Sequence, residues 1–303
     1  MLPFRRVAII GMGLIGSSVA RAVRTHMPTV ALVAHDADAA VRDRVLELGL
    51  ADDVTDNAGA AVVDADLVIL AVPLGAFAAV GAEIADELAP GAVISDVGSA
   101  KQSVIDALLP LLPPGVQLVP AHPVAGTERS GPDAGFASLF DGRWCIITPV
   151  DGVNSPAVQR VSDFWTRLGS KVEVMDARHH DMVLAVTSHI PHLIAYSIVG
   201  TAADLEDVTR GEVIKYSAGG FRDFTRIAAS DPTMWRDVFL TNRDAVLDVL
   251  GRVSEDIAAL QRAIRWSDGE ALHKRFTQSR DIRRAIVEAG QDTDEPDFGR
   301  GHG

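Results

Sequence analysis

Cysteine and positive charge are both scarce in this sequence, and each shortage excludes classes of protein. Cys145 is the single cysteine among 303 residues, which rules out an internal disulfide and a cysteine-rich zinc site. Lys and Arg number 28 against 41 Asp and Glu, giving a net charge of −13, whereas nucleic acids and anionic membrane surfaces attract basic proteins. We therefore expect a protein of the reducing cytoplasm with neither nucleic acid nor membrane as a partner.

Long hydrophobic runs are few, and neither of the two candidates fits a membrane segment well. The apolar run that follows Arg5 and Arg6 loosely resembles a secretory signal, but it contains the glycine pattern described below. Residues 182–203 carry no Asp, Glu, Lys or Arg, which is enough length to span a bilayer. Because this run contains His189, Pro191 and His192, we predict a buried helix in the core of an oligomer.

The order of sequence patterns predicts two domains of different class, as the length also suggests. Short apolar runs alternate with helical stretches up to about residue 176, which is typical of parallel βαβ units covered on both faces. The predicted strands are 6–10, 30–34, 67–72, 92–96, 117–120 and 144–148, with a further edge strand at 172–174, and the helices between them include 14–25 and 37–47.

Strand patterns end near residue 177, and long helical patterns follow it. We predict helices at 177–203, 210–216, 234–260 and 269–289. Asp231 is the expected N-cap, with Pro232 at the first helical position. Residues 291–303 are polar and without periodicity, which predicts a loose tail. The predicted domains are therefore 1–176 (α/β), 177–290 (all-helical) and 291–303 (tail).

A glycine pattern near the start indicates a dinucleotide site. Residues 7–16 read V-A-I-I-G-M-G-L-I-G, which is G-x-G-x-x-G between a predicted strand and a predicted helix. The three glycines are expected to make a tight turn, to admit a pyrophosphate and to pack the helix closely, and the first helical turn offers its N–H groups to the phosphates. This pattern favours a Rossmann-type, doubly wound, mostly parallel sheet, with cofactor contacts at Gly11, Gly13, Leu14, Ile15 and Gly16.

An acidic residue at the end of the second predicted strand favours NAD over NADP. Asp36 follows Gly16 by 20 residues, and a carboxylate there accepts hydrogen bonds from ribose hydroxyls and repels a 2′-phosphate. No arginine adjoins Asp36 in the sequence. Val72 and Pro73 are expected at the same edge, packed on the nucleotide. The alternatives are a βαβ unit without a ligand and Asp36 as a solvated loop residue.

Polar clusters follow the later predicted strands, and one lies within the uncharged stretch 182–203. They read S-D-V-G-S-A-K at 95–101, A-H-P-V-A-G-T-E at 121–128, S-H-I-P-H at 188–192 and G-G-F-R-D-F-T-R-I-A-A at 219–229. Together with the glycine pattern, these motifs resemble the prephenate/arogenate dehydrogenase family of tyrosine biosynthesis, over roughly residues 6–260. The resemblance implies NAD-dependent oxidation and decarboxylation of a cyclohexadienol.

His122 is the predicted catalytic base, because a neutral imidazole accepts a proton at cellular pH. Ser99 is predicted to orient the same substrate hydroxyl, and a helix N-cap is its alternative role. Arg226 is the predicted carboxylate clamp, with a surface ion pair to Asp223 as the alternative. His192 resembles the family residue that faces the substrate side chain, and it could instead be a satisfied core histidine.

Thr127 and Glu128 are predicted to position the entrance of the substrate pocket, although Glu128 could equally be a helix cap or pair with Arg129. The spacing of His189 and His192 could suggest a metal, but no carboxylate cluster accompanies it, so none is expected. The apolar stretch 182–203 predicts a homodimer that buries about 2,000 Å² or more. The sequence leaves open prephenate against arogenate, the strictness for NAD, tyrosine inhibition, and the roles of His189 and Lys101.

Two rival functions remain at this point. One is a two-domain enzyme of the β-hydroxyacid dehydrogenase type, but neither Lys171 nor Lys215 lies in the context of that class's helix-borne lysine. The other is a non-catalytic NAD-sensing protein, which would keep the glycine pattern without needing His122, Ser99 and Arg226 together. Turnover of substrate by the purified protein discriminates among the three.

Overall fold

A six-stranded parallel sheet organises the first part of the chain. The computed structural model describes residues 2–127, 129–204 and 219–288. The strand order β3-β2-β1-β4-β5-β6 is that of a doubly wound dinucleotide fold, with its crevice at the carboxyl edge where the order reverses. This confirms the predicted fold class. The strands are β1 (Arg6–Ile10), β2 (Ala31–His35), β3 (Asp53–Thr55), β4 (Leu67–Leu70), β5 (Val93–Asp96) and β6 (Gln117–Leu118).

The sheet is covered on both faces, as its apolar strands predict. Along β1, Val7 and Ile9 belong to one buried cluster, whereas Ala8 and Ile10 belong to another on the opposite face. Alternate residues of a strand point to opposite faces, so both faces of β1 are core. The helices of this part are α1 (Leu14–His26), α2 (Ala39–Glu47), α3 (Ala58–Val62), α4 (Phe77–Ile84), α5 (Gln102–Leu108) and α6 (Ser155–Arg167).

A second sheet corrects two of the predicted strands. Only residues 117–118 of the predicted strand 117–120 pair with β5. Pro120 has no N–H for the ladder, and the chain then forms β7 (Ala121–Pro123), which pairs antiparallel with β8 (Trp144–Ile147). The predicted strand 144–148 thus belongs to the second sheet. The predicted edge strand is confirmed as β9 (Lys171–Val174), parallel to β8.

The later part of the described chain is helical. It contains α7 (Ala177–Leu184), a π-helical turn (Ala185–His189), α8 (Ile190–Asp204), α9 (Gly219–Thr225), α10 (Pro232–Thr241), α11 (Arg243–Arg265) and α12 (Gly269–Glu288). Asp231 caps α10 by accepting a 2.8 Å hydrogen bond from the Met234 N–H, as predicted. The single helix predicted at 234–260 is wrong, because it breaks at Asn242. The predicted helix 210–216 and tail 291–303 lie outside the described residues.

The chain divides into two compact units between Leu247 and Asp248. In the second unit, the part of α11 from Asp248 onward and α12 are joined by an ion pair between Asp256 and Arg275. The predicted domain boundaries at 176/177 and 290/291 stay predictions. In the first unit, residues 177–204 are apolar and long enough to cross a bilayer, with a mean hydropathy of 1.5 over the most apolar window, 28% of which is buried within the chain. A helix covered by a partner subunit has the same length and apolar character.

Candidate active site

The glycine-rich turn after β1 has the geometry that a pyrophosphate needs. Gly11 has a φ of +97°, and a Cβ there would lie 2.5 Å from the Ala71 carbonyl oxygen. A Cβ on Gly16 would lie 1.9 Å from the Gly11 carbonyl oxygen, whereas a Cβ on Gly13 would meet no atom within 4 Å. The space over Gly13 is therefore open at the start of α1, where helix N–H groups bind anions.

Asp36 lies half-buried just after β2 and is tied to this turn. Its Oδ2 accepts a 2.7 Å hydrogen bond from the Met12 N–H, and its Oδ1 accepts a 3.0 Å bond from the Asp38 N–H. Sequence reasoning missed a neighbouring cation, since Arg42 donates to the backbone carbonyl of Asp36 at 2.8 Å. Arg42 is six positions away along the chain but returns to Asp36 on the first turn of α2.

His122 lies in β7 and forms a hydrogen-bonded row with two residues of α7. Its Nδ1 lies 2.8 Å from Nε2 of His180, and Nδ1 of His180 lies 2.9 Å from Oδ1 of Asp181. All three side chains are buried. Asp176 caps α7 by accepting from the N–H groups of Arg178 and His179, which satisfies two donors in the first turn of the helix.

A buried ion pair holds the main chain beside His122. Lys101 is fully buried and pairs with Asp96 at the end of β5. Lys101 Nζ also donates to the Ala121 carbonyl at 2.8 Å, and the Ala121 N–H donates to Asp96 Oδ1 at 3.1 Å. Burial lowers the pKa of Lys101 and raises the pKa of Asp96, while their mutual attraction opposes both shifts. Lys101 is thus a structural residue that fixes the start of β7.

Burial keeps the imidazoles of this cluster neutral at physiological pH. The pKa of His122 lies well below its usual value because of desolvation and the neighbouring His180, Lys101 and His189. Desolvation also lowers the pKa of His180, against the opposing hydrogen bond to Asp181. A neutral imidazole has one nitrogen free to accept a proton, which suits the role predicted for His122.

A second group of aromatic side chains lies next to these histidines. Asn242, which lies at the break between α10 and α11, donates through Nδ2 to Nδ1 of His189 at 3.0 Å and to the Asp181 carbonyl at 2.8 Å. His192 stacks on Trp235 with ring centroids 3.7 Å apart. The Nε2 of His189 and the Nε1 of Trp235 are buried without a hydrogen-bond partner among the described residues, so both are donors available to a ligand.

Among the remaining predicted substrate residues that the structure describes, Arg226 interacts with this group. Arg226 opens a short 3₁₀ turn, Arg226–Ala229, and its charge contributes to lowering the pKa of His192, after burial as the main cause. Ser99 is half-buried in the turn that follows β5, and Thr127 is exposed, accepting a 3.2 Å bond from the Arg129 N–H. Glu128 lies outside the described residues. The sequence placed Arg226 and His192 far apart, and the fold brings them together.

The residues predicted to border the cofactor lie at the ends of β1 and β4, and the single cysteine lies in the second sheet. Val72 is half-buried and Pro73 exposed just beyond β4, and Leu14 and Ile15 are half-buried at the start of α1. Cys145 is fully buried in β8, where burial raises the pKa of its thiol well above the usual value. Among the described residues, no group of three or more His, Cys, Asp or Glu side chains could hold a metal ion.

Sequence reasoning missed His180, Asp181 and Asn242 as members of the site. His180 and Asp181 look like the polar start of a helix in the sequence, and no spacing rule links either to His122. The one available signal was the His-Asp pair directly before the uncharged stretch 182–203. If that stretch is buried, the pair next to it is partly buried too, and buried His and Asp side chains need hydrogen-bond partners.

Comparison with known proteins finds matches over most of the chain. Residues 19–174 match the family model for the nucleotide-binding domain of prephenate dehydrogenase. Residues 176–278 match the model for the dimerization domain of prephenate dehydrogenase.

Individual relatives point the same way. The chain is 45% identical to a cyclohexadienyl dehydrogenase of Zymomonas mobilis, covering 94% of this chain and 97% of the relative. It is 34% identical to a prephenate dehydrogenase of Bacillus subtilis, over 92% and 76% of the two chains. A crystal structure of prephenate dehydrogenase from Aquifex aeolicus, in complex with hydroxyphenyl propionate and NAD⁺, superimposes with a TM-score of 0.86 at 30% identity, over 93% and 98% of the two chains. The chain therefore belongs to the prephenate dehydrogenase family.

Proposed function

We propose that this protein is an NAD-dependent dehydrogenase that oxidises and decarboxylates prephenate to 4-hydroxyphenylpyruvate, arogenate to tyrosine, or both. One observation carries the proposal: a buried imidazole, His122, has a pKa held well below its usual value and is backed by His180 at 2.8 Å. Such a group is a neutral base at cellular pH. Neither a β-hydroxyacid dehydrogenase nor an NAD-sensing protein accounts for this base.

The glycine-rich turn fits a dinucleotide. Gly13 leaves open space at the start of α1, the first turn with Leu14 and Ile15 presents N–H groups to the pyrophosphate, and Asp36 faces the ribose region. Val72 and Pro73 border the same edge. Bound NAD⁺ would supply the acceptor for the hydrogen that leaves C4 of the substrate ring with its electron pair.

The chain's own residues bind the substrate and move its proton. His122 takes the proton of the C4 hydroxyl, and Ser99 orients that hydroxyl. Loss of the ring carboxylate as CO₂ then makes the ring aromatic, and the oxygen regains a proton as a phenol. Aromatisation makes the reaction effectively irreversible.

Carboxylate recognition falls to the group around His192. Arg226 supplies the guanidinium charge, and the N–H groups of His189 and Trp235, which have no hydrogen-bond partner in the described part of the chain, are neutral donors for substrate oxygens. Thr127 and Glu128 are assigned to the pocket entrance.

The predicted helical domain, residues 177–290, is proposed to pair with the same domain of a second copy in a cytoplasmic homodimer. In residues 177–204, Met182, Val186, Ile198 and Val199 are exposed within one chain. Exposed apolar surface on a long helix is unfavourable in water, and the match of residues 176–278 to a dimerization domain supports a second copy as its cover.

The proposal is tested by turnover of purified protein. With NAD⁺ and prephenate or arogenate, we expect NADH at 340 nm and CO₂ in equal amounts, and the ratio of kcat/KM for the two substrates gives the preference. NADH without CO₂ from a β-hydroxyacid would favour the rival enzyme class, and binding of NAD⁺ without turnover of any of these substrates would favour a sensor.

A further inference from the structure

We propose that His180 and Asp181 are positioning residues that hold His122 in one tautomer, with its proton on Nδ1 and its Nε2 free to accept the substrate proton. The inference rests on the proposed function for its kinetic consequence. The arrangement itself is a property of three side chains from β7 and α7.

The position of each proton follows from the acceptor at the end of the row. Asp181 Oδ1 accepts a 2.7 Å bond from the Lys101 N–H, and Oδ2 accepts a 2.9 Å bond from the Gln102 N–H. With main-chain donors on both oxygens, the Asp181 side chain acts as an acceptor only. Nδ1 of His180, 2.9 Å from Oδ1, must therefore donate.

The second proton position follows from the first. A neutral His180 that carries its proton on Nδ1 has a lone pair on Nε2. Nδ1 of His122 lies 2.8 Å from that lone pair, so it is the donor. The lone pair of a neutral His122 is then on Nε2, the nitrogen that faces away from His180.

Packing and hydrogen bonds fix the hydrogen-bonded row at both of its ends, His122 and Asp181. His180 is fully buried, and its ring meets that of His122 edge to face, with an interplanar angle of 71°. The main chain before His122 is held through Ala121 by Lys101 and Asp96. The Asp181 carboxylate is fixed by hydrogen bonds from the main-chain N–H groups at the start of α5.

The row also offers charge compensation once His122 is protonated. Burial above all, and then His180, Lys101 and His189, lower the pKa of His122, so its protonated form is disfavoured. The Asp181 carboxylate, reached through His180, is the nearest negative group along the row, and Asp96 lies beyond Lys101. A carboxylate that orients an imidazole and stabilises its protonated form has this same division of roles in hydrolytic triads.

The kinetic test replaces His180 in two ways. His180→Leu removes the acceptor for the His122 Nδ1 proton, and we expect kcat to fall by about 10²-fold with little change in KM, because general-base catalysis contributes roughly 10²–10⁴-fold. His180→Gln offers a side-chain oxygen as acceptor and should retain kcat within about tenfold of the wild type. His179→Leu is the matched control, since the neighbouring His179 is exposed.

A spectroscopic test works without turnover. In protein labelled with ¹⁵N-histidine, nitrogen shifts and couplings distinguish protonated from unprotonated ring nitrogens, and the His122→Asn spectrum identifies the signals of His122. We expect Nδ1 protonated and Nε2 unprotonated in the wild type and in His180→Gln, and a mixture of tautomers in His180→Leu.

Two results would overturn the inference. One is a folded His180→Leu variant with the kcat of the wild type, and the other is wild-type His122 with its proton on Nε2. Should His180→Leu fail to fold, the His180→Gln variant and the wild-type spectrum decide the matter. If the wild type oxidises neither prephenate nor arogenate, the proposed function fails, while the spectrum still decides where the proton lies.

Discussion

At the scale of single residues, the proposed mechanism depends on His122 as a base that burial keeps neutral. His122→Asn removes the proton acceptor while leaving a polar side chain of smaller size, so we expect kcat to fall by roughly 10²–10⁴-fold with a modest change in KM. Steady-state kinetics by NADH absorbance measures both constants. An unchanged kcat would remove His122 from the mechanism.

Cofactor preference is a second residue-scale property. Here the structure adds a cation beside Asp36 that the sequence did not indicate. Asp36 repels a 2′-phosphate, but Arg42 lies against its backbone carbonyl. Asp36→Ala should therefore narrow the preference for NAD⁺ over NADP⁺ by about tenfold or more, since one charge contact of this kind is worth roughly 1.5–3 kcal/mol. The measurement is the ratio of kcat/KM for the two cofactors.

The double variant Asp36→Ala/Arg42→Ala is the control for that experiment. It should bind NADP⁺ more weakly than Asp36→Ala alone, because the guanidinium that could meet the phosphate is gone. A ratio that does not move in Asp36→Ala would place that carboxylate away from the ribose.

Buried histidines also make stability depend on pH. Burial lowers the pKa of His189 to about 4 from an ordinary value of 6.5. Between these values the unfolded chain binds more protons than the folded one, so the free energy of unfolding falls as the pH drops from 6.5 towards 4. His122 and His180 act in the same direction. We expect Tm to fall across this window.

His189→Asn should flatten that fall in Tm, because its amide oxygen can accept the bond from Asn242 without a proton to gain. His273→Asn is the control, since His273 is exposed on α12 and should keep the wild-type slope. Thermal unfolding by circular dichroism at several pH values gives the comparison. Equal slopes in His189→Asn and the wild type would show that His189 does not contribute.

At the scale of elements, the β1–α1 turn contains one glycine required for close packing, Gly16, and one that leaves space for a ligand, Gly13. Gly16→Ala places a methyl group against the Gly11 carbonyl and pushes α1 from the turn, so we expect a loss of about 1–3 kcal/mol in the free energy of unfolding. Gly13→Ala meets open space and should leave Tm nearly unchanged while weakening NAD⁺ binding.

Chemical denaturation and calorimetric titration with NAD⁺ measure the two effects separately. The pair of variants serves as its own control, because the same methyl group is added at both positions. Wild-type NAD⁺ affinity in Gly13→Ala would contradict the proposed path of the pyrophosphate over this residue.

At the scale of the whole molecule, assembly follows from the apolar segment 177–204. Sedimentation at micromolar concentration should give twice the chain mass of 32.2 kDa. Val186→Asp introduces charge where the side chain is 54% exposed in one chain, and we expect it to weaken the dimer if this face is covered. Thr25→Asp on α1 is a surface control. A stable wild-type monomer would contradict the predicted homodimer.

Local patterns were enough for much of the fold. The strands β1 and β4, the glycine turn and the Asp231 cap depend on neighbouring residues, so their signals lie within a few positions of one another. The strand β3 and the separation of β6 from β7 escaped prediction, because two- and three-residue strands carry too little periodicity and because pairing partners decide which sheet a strand joins.

The sequence by itself determined the dinucleotide-type turn and the change from an α/β to a helical pattern, and it singled out His122 as the candidate base, since each rests on residue types at short spacing. Only the tertiary structure decided what lies behind that base. His122 and His180 are 58 positions apart, and Asn242 is 61 from Asp181. Such hydrogen bonds exist because helices pack on strands at set distances, a relation that no local pattern encodes.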